Sequence, residues 1–237
     1  MEALQLKVAL RILEYGGIPA CIIGEIALNY YNVPRVLHDI EICVPEASLS
    51  KAALMLQGTG LFEPKAIEEF DIYNEYKRDF PRLRSSSWIS PSCTLVLLAD
   101  KSYGLDPLVN NISCGKTTPN PNPTYSSQIM DLIPPAEVGN IPIPRLPSLF
   151  AGLCRRYLES NDDVAMIAAE QLVDGMDLDG GWCTRNLRNT SFEIHQLANR
   201  LIASKQSRLD DFSENTVTCF IANAEEAERL RLIPGYE

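Results

Sequence analysis

The stretch that most restricts what this chain can fold into is residues 22–44. A short apolar run, Cys21-Ile22-Ile23, ends at Gly24. The segment Glu25-Ile26-Ala27-Leu28-Asn29-Tyr30-Tyr31-Asn32 follows at helical spacing and is closed by Pro34. Then Asp39-Ile40-Glu41-Ile42-Cys43-Val44 reads as a strand stopped by Pro45. Side chains alternate across a strand, so Asp39 and Glu41 share one face while Ile40 and Ile42 turn to the other. Two carboxylates about 7 Å apart along a strand converge on a hard cation such as Mg²⁺ or Mn²⁺, which takes oxygen ligands. Gly24 permits a sharp turn into the helix, whose first N–H groups face an incoming phosphate. The alternative, in which both acids are ordinary exposed strand residues and Gly24 an ordinary turn, stays open on these residues alone.

The same periodicities extend in both directions. Leu4, Val8, Ile12 and Leu13 mark an amphipathic helix ended by Gly16-Gly17. A further helix runs from about Ser48 to Gln57, and Cys93–Ala99 reads as a central strand. Residues 113–128, rich in Pro and Asn, read as an exposed loop. Beyond an extended entry at 141–147, helices are expected over 148–160, from Asn161 or Asp162 to about Val173, over 188–205 and over 208–231. The chain thus divides near 140, with a mixed α/β front (1–140) and a helical back (141–237).

Composition narrows the function classes. The net charge of −10 over 237 residues argues against bulk electrostatic binding of nucleic acid. Three arginine groups (Arg78, Arg82 and Arg84; Arg155 and Arg156; Arg185 and Arg188) are expected on solvated surface. Seven dispersed cysteines without a CxxC pair, together with only two histidines, speak against a disulfide framework and a histidine-rich metal site. No apolar run approaches the roughly 20 residues that span a bilayer, and the N-terminus lacks a basic start and cleavage site. The expectation is a cytoplasmic protein with no membrane partner. Tyr30, Tyr31, Trp88 and His195 read as packed residues.

The block Gly24…Asp39-Ile40-Glu41, with thirteen residues between Glu25 and Asp39, resembles the signature of the nucleotidyltransferase superfamily, the polymerase-beta-like fold. That signature is a glycine with a small neighbour, a spacer, then acid–hydrophobic–acid on a strand. The nearer likeness is to minimal nucleotidyltransferases of the AbiEii type: Gly24, Ala27, Leu28, Tyr30, Pro34 and Arg35 stand where those have Gly-Gly, Ala-Leu-aromatic and Pro-Arg. Residues 141–163 look like their second element, a helix bearing a basic residue before an acid-rich helix start. The resemblance implies an α/β (α+β) fold, a mixed sheet with flanking helices and a helical C-terminal part. It implies Asp39 and Glu41 as catalytic metal ligands for Mg²⁺ or Mn²⁺, with Gly24, Glu25, Arg35 and Arg155 toward the substrate. Two positions depart from the pattern. Glu25 replaces the second small residue, and the third acid is not evident: Thr94 sits where a neighbouring strand would present it, with Asp71, Asp79 and Asp100 as other candidates.

Three functions follow as expectations. The first is transfer of a nucleotidyl group from a nucleoside triphosphate to an acceptor. The second is a non-catalytic binding module on the same fold. The third keeps the pocket and changes the chemistry: the chain also looks like the fungal arginine-containing cyclodipeptide synthases, small enzymes that use aminoacyl-tRNA, although no motif carries that likeness.

Overall fold

The computed structural model describes residues 3–66, 75–113 and 125–237. Within them the chain forms a five-stranded mixed sheet with flanking helices and a helical C-terminal part. Helix α1 (Ala3–Tyr15) ends at the two glycines and leads into β1 (Cys21–Ile23), α2 (Gly24–Tyr30) and β2 (Asp39–Val44). Helix α3 (Leu49–Gly58), β3 (Phe62–Pro64), β4 (Arg82–Ser85) and β5 (Thr94–Ala99) complete the sheet in the order β1-β2-β5-β4-β3. Only the β2–β5 pair is parallel. It is also the most apolar: all residues of both strands after their first are buried, as expected of a central pair covered on both faces. Helix α3 lies on β5, and α2 lies on β2.

After the short helices α4 (Ser127–Leu132) and α5 (Pro135–Val138), the second half is a helical layer of α6 (Leu146–Ser160), α7 (Asp163–Gly175), α8 (Gly180–Asn186) and α9 (Phe192–Ala203), followed by α10 (Ala224–Leu230). Asp162, Asp179, Ser191 and Asn223 accept hydrogen bonds from backbone N–H groups in the first turns of α7, α8, α9 and α10, which explains where these helices begin. Gly152 allows α6 to lie against the 100–103 turn, where a Cβ would overlap the Tyr103 carbonyl. The C-terminal residues are threaded between the two halves. Tyr30 donates to the Pro234 carbonyl, Trp182 Nε1 donates to the Tyr236 carbonyl, and Leu146 N–H donates to the Gly235 carbonyl.

The sequence pattern and the structure part in two helical regions. The expected helix over 208–231 shrinks to α10, because Asp210, Ser213 and Asn215 turn the backbone with their own side chains and Thr218 pairs with Ile221 as an isolated bridge. The expected helix over 188–205 starts only at Phe192. Helix α8 was not anticipated, since Gly180 and Gly181 in its first turn mask it. Trp88 is exposed, not packed, and His195 is only half-buried, whereas Tyr30 and Tyr31 are fully buried. Cys43, Cys93, Cys154, Cys183 and Cys219 are free thiols. Among the described residues no helix is long and apolar enough to cross a membrane. Most of the loop expected over 113–128 falls outside the described residues.

Candidate active site

β1 and β2 run antiparallel with Ile23 opposite Glu41, and on the other side Asp39 lies beside Thr94 of β5. This register sets the two acids one step apart on a single face, close to the β1–α2 turn. Gly24 makes that turn with φ of +63°, in the left-handed region. A Cβ on it would lie 2.5–2.7 Å from the Glu41 carboxylate atoms. Glycine is therefore required twice, by the backbone and by the acid lying against it.

The acids are not alone. Lys77, on the Glu75–Lys77 turn, places its ammonium 2.8 Å from Glu41 Oε1 and 3.1 Å from Asp39 Oδ2. The side chains of Lys77, Asp39 and Glu41 are 4, 15 and 2% exposed, so the ion triad sits in a low-dielectric interior. Burial pulls the Lys77 ammonium down, but Glu41 and Asp39 outweigh it and hold it above its usual value. Tyr76 on the same turn donates its hydroxyl to Glu41 Oε1 at 2.8 Å. Burial, and then Glu41, raise the Tyr76 phenol well above its usual value and keep it a donor. Glu41 Oε2 is buried with no hydrogen-bond partner among the described residues.

Asp39, Tyr76 and Lys77 open onto a cavity of about 420 Å³. Gly24, Glu25, Arg35, His38, Asp39, Tyr76 and Lys77 form its polar side, and Leu28, Leu149, Leu153, Val164, Ala165 and Ala168 form its apolar side. Arg156 and Tyr103 complete the wall. Arg156 pairs with Asp162 and lies over the rings of Tyr76 and Tyr103, 4.4 and 4.6 Å from their centroids. The guanidinium thus ties the Lys77 turn to helix α6.

Glu25, the residue that departs from the glycine–small pattern, has a local task. Its carboxylate accepts the His38 backbone N–H and meets His38 Nδ1, both at 2.7 Å, which fixes the chain entering β2. Asn29, fully buried, clamps the backbone of Arg35 from both sides, accepting from its N–H and donating to its carbonyl. Arg35 then lines the cavity with a buried Nε that has no hydrogen-bond partner among the described residues.

Among the residues singled out from sequence, Gly24, Glu25, Arg35 and Asp39 meet at the cavity, and Glu41 lies directly against Gly24. Arg155 does not join them; its guanidinium lies against Gly104. Its neighbour Arg156, expected on solvated surface with it, is the one that reaches the wall, its side chain only 12% exposed. Of the other arginines, Arg82 is buried, while Arg78 and Arg84 pair with Glu75 and Glu63. The strand position for a third acid carries Thr94, whose hydroxyl accepts from Lys65. Asp100 caps the Glu46 and Lys101 N–H groups, Asp79 is exposed, and Asp71 lies outside the described residues. No group of three His, Cys, Asp or Glu side chains suited to a metal occurs among the described residues. Tyr76, Lys77 and Tyr103 carry no motif; only their proximity to the acids marks them.

No family model and no curated protein matches the chain. Among solved structures it is similar to the solution structure of the antibiotic-resistance factor ANT(2'')-Ia. The two are 9% identical over 87% of this chain and 95% of that one, with a TM-score of 0.40. At that score the likeness carries no weight for the chemistry, which rests on the site itself.

A larger hollow, about 620 Å³, lies between α1 and residues 133–142. Its walls are mainly Leu6, Leu10, Ile18, Ile112, Ile133 and Ile141, and its acids do not converge, so it is not the candidate active site.

Proposed function

We propose that this protein is an enzyme of the nucleotidyltransferase superfamily that transfers a nucleotidyl group from a nucleoside triphosphate at the Asp39–Glu41 cavity. The observation that carries the reading is the convergence of both carboxylates on one cation directly beside the Gly24 turn. The finer likeness to minimal AbiEii-type enzymes rests on Gly24, Ala27, Leu28, Tyr30, Pro34 and Arg35 and belongs to the same proposal.

The donor set fits a divalent ion in two respects. Lys77 shows that a single positive centre reaches Asp39 and Glu41 together, and Glu41 keeps a second, unpartnered buried oxygen. Asp39 and Glu41 would hold Mg²⁺ or Mn²⁺, with water and phosphate oxygens completing the shell. Bound there, the ion supplies neutralisation of triphosphate charge. Arg35 adds a fixed positive group on the same wall, and its unpartnered Nε is available to an anion. The apolar wall of α6 and α7 receives the uncharged part of the ligand and excludes water. In the transfer itself an acceptor hydroxyl or amine attacks the α-phosphorus, the bond to the α–β bridging oxygen breaks to release pyrophosphate, and the acceptor's proton passes to solvent water.

A second reading, a binding module without catalysis, is favoured by Thr94 standing in the strand position of a third acid. One assay separates the two. The protein is incubated with each nucleoside triphosphate, Mg²⁺ or Mn²⁺ and extracts supplying acceptors, and pyrophosphate is measured. The expected result is release that depends on one class of acceptor. Nucleotide binding without pyrophosphate from any combination would establish the binding module.

A further inference from the structure

We propose that Lys77 is the site's resident cation and that it changes partners during binding, passing from Asp39 and Glu41 to a phosphate of the incoming nucleotide. The free protein then takes up little divalent metal, and the ion enters only together with the nucleotide. The inference rests on the nucleotide reading above for the ligand that receives Lys77, but its first part concerns the free protein alone.

The geometry excludes joint occupancy. The Lys77 ammonium lies 2.8 and 3.1 Å from one oxygen of each acid, so it fills the space a bridging ion needs. Mg²⁺ binds carboxylate oxygens at about 2.0–2.1 Å, and a second cation held at the same two oxygens would be strongly repelled. The ammonium must leave first. A hydrated ion offers it nowhere to go, and moving an unpaired charge out of a buried pair is strongly unfavourable. A triphosphate offers oxygens on the same side, since Lys77 and Asp39 both line the cavity.

The surroundings suit such an exchange. Tyr76 is held from both sides, by its hydrogen bond to Glu41 and by Arg156 over its ring, so the 75–77 turn stays in place. The four-carbon stem of Lys77 can swing without a backbone shift. Glu41 Oε2, buried and unpartnered, is the acceptor left over by the lysine arrangement and the one an arriving ion would satisfy. Coupling of this kind is reciprocal: nucleotide raises metal affinity, and metal raises nucleotide affinity by the same factor.

The test uses Mn²⁺ alone, followed by electron paramagnetic resonance of the free ion with no nucleotide present. Wild-type protein is compared with Lys77→Gln, Lys77→Met and the double variant Lys77→Gln/Asp39→Asn, each checked for folding by circular dichroism. Wild type is expected to leave Mn²⁺ free into the millimolar range. Lys77→Gln is expected to bind one ion per chain with an affinity at least about tenfold higher, and the double variant to lose it. Tight Mn²⁺ binding by nucleotide-free wild type would overturn the proposal without need of any variant. So would a folded Lys77→Gln that binds no better than wild type. Gain of Mn²⁺ binding in Lys77→Gln alongside an absence of pyrophosphate release by the wild-type protein would support the lysine seat and reject nucleotidyl transfer, which keeps the two failures distinguishable.

Discussion

Asp39→Asn is expected to lower nucleotide-dependent turnover by about 10³-fold while the protein stays folded. The carboxamide keeps the size of the side chain but loses one of the two charges that hold a cation at the site. An ion that stabilises developing phosphate charge is worth several kcal/mol, and each ~1.4 kcal/mol is tenfold in rate. Asp39 is also the more accessible acid, at 15% against 2% for Glu41, so its replacement disturbs packing less. Glu41→Gln should be as damaging to turnover and costlier in stability, because it removes the buried negative charge on which Lys77 and Tyr76 converge. Steady-state rates of pyrophosphate release, with urea unfolding of the same samples, check both. Turnover within a few-fold of wild type in Asp39→Asn would remove this acid from the chemistry.

Arg156→Met is expected to produce the largest loss of stability of any single change at the site, at least about 3–5 kcal/mol. Removing one partner of a mostly buried ion pair leaves Asp162 uncompensated, which alone costs about that much. Asp162 also caps α7 through the Ala165 N–H, so the helix start is disturbed too. The rings of Tyr76 and Tyr103 lose the guanidinium between them, a further contribution of about 0.5–2 kcal/mol each. Arg156→Lys retains charge but not the planar stack, and should recover only part of the loss. Chemical denaturation midpoints at constant slope measure this directly. A change below about 1 kcal/mol would show that the ion pair and the stacking are incidental.

How much of this was legible beforehand depended on how local each signal was. The strand Asp39–Val44 was readable to the residue, since alternation and a following proline are properties of neighbours in sequence. The Gly24 turn and the cap of α7 at Asp162 were readable for the same reason. The 208–231 segment misled because its apolar spacing suits a helix, while Asp210, Ser213 and Asn215 bind their own backbone instead. The ion triad was not readable at all. Lys77 is 36 residues beyond Glu41 and belongs to a short turn without motif, so only the fold brings its ammonium to the acids. Arg155 and Arg156 show the limit from another side. One residue along a helix rotates the side chain by about 100°, which decides which arginine meets Gly104 and which meets Tyr76. Glu25 stood out in the sequence only as a departure from the glycine–small pattern, and the fold explains it, since its carboxylate is spent on His38.

In the proposed function, Asp39 and Glu41 hold a catalytic cation in place of Lys77 when a nucleotide is bound. Anomalous scattering from crystals soaked with Mn²⁺ and a nucleoside triphosphate analogue that cannot release pyrophosphate tests this most directly. The predicted map has one anomalous peak between Asp39 and Glu41, with the Lys77 ammonium turned to a phosphate oxygen. A bound nucleotide with no peak there and Lys77 still on both carboxylates would contradict it.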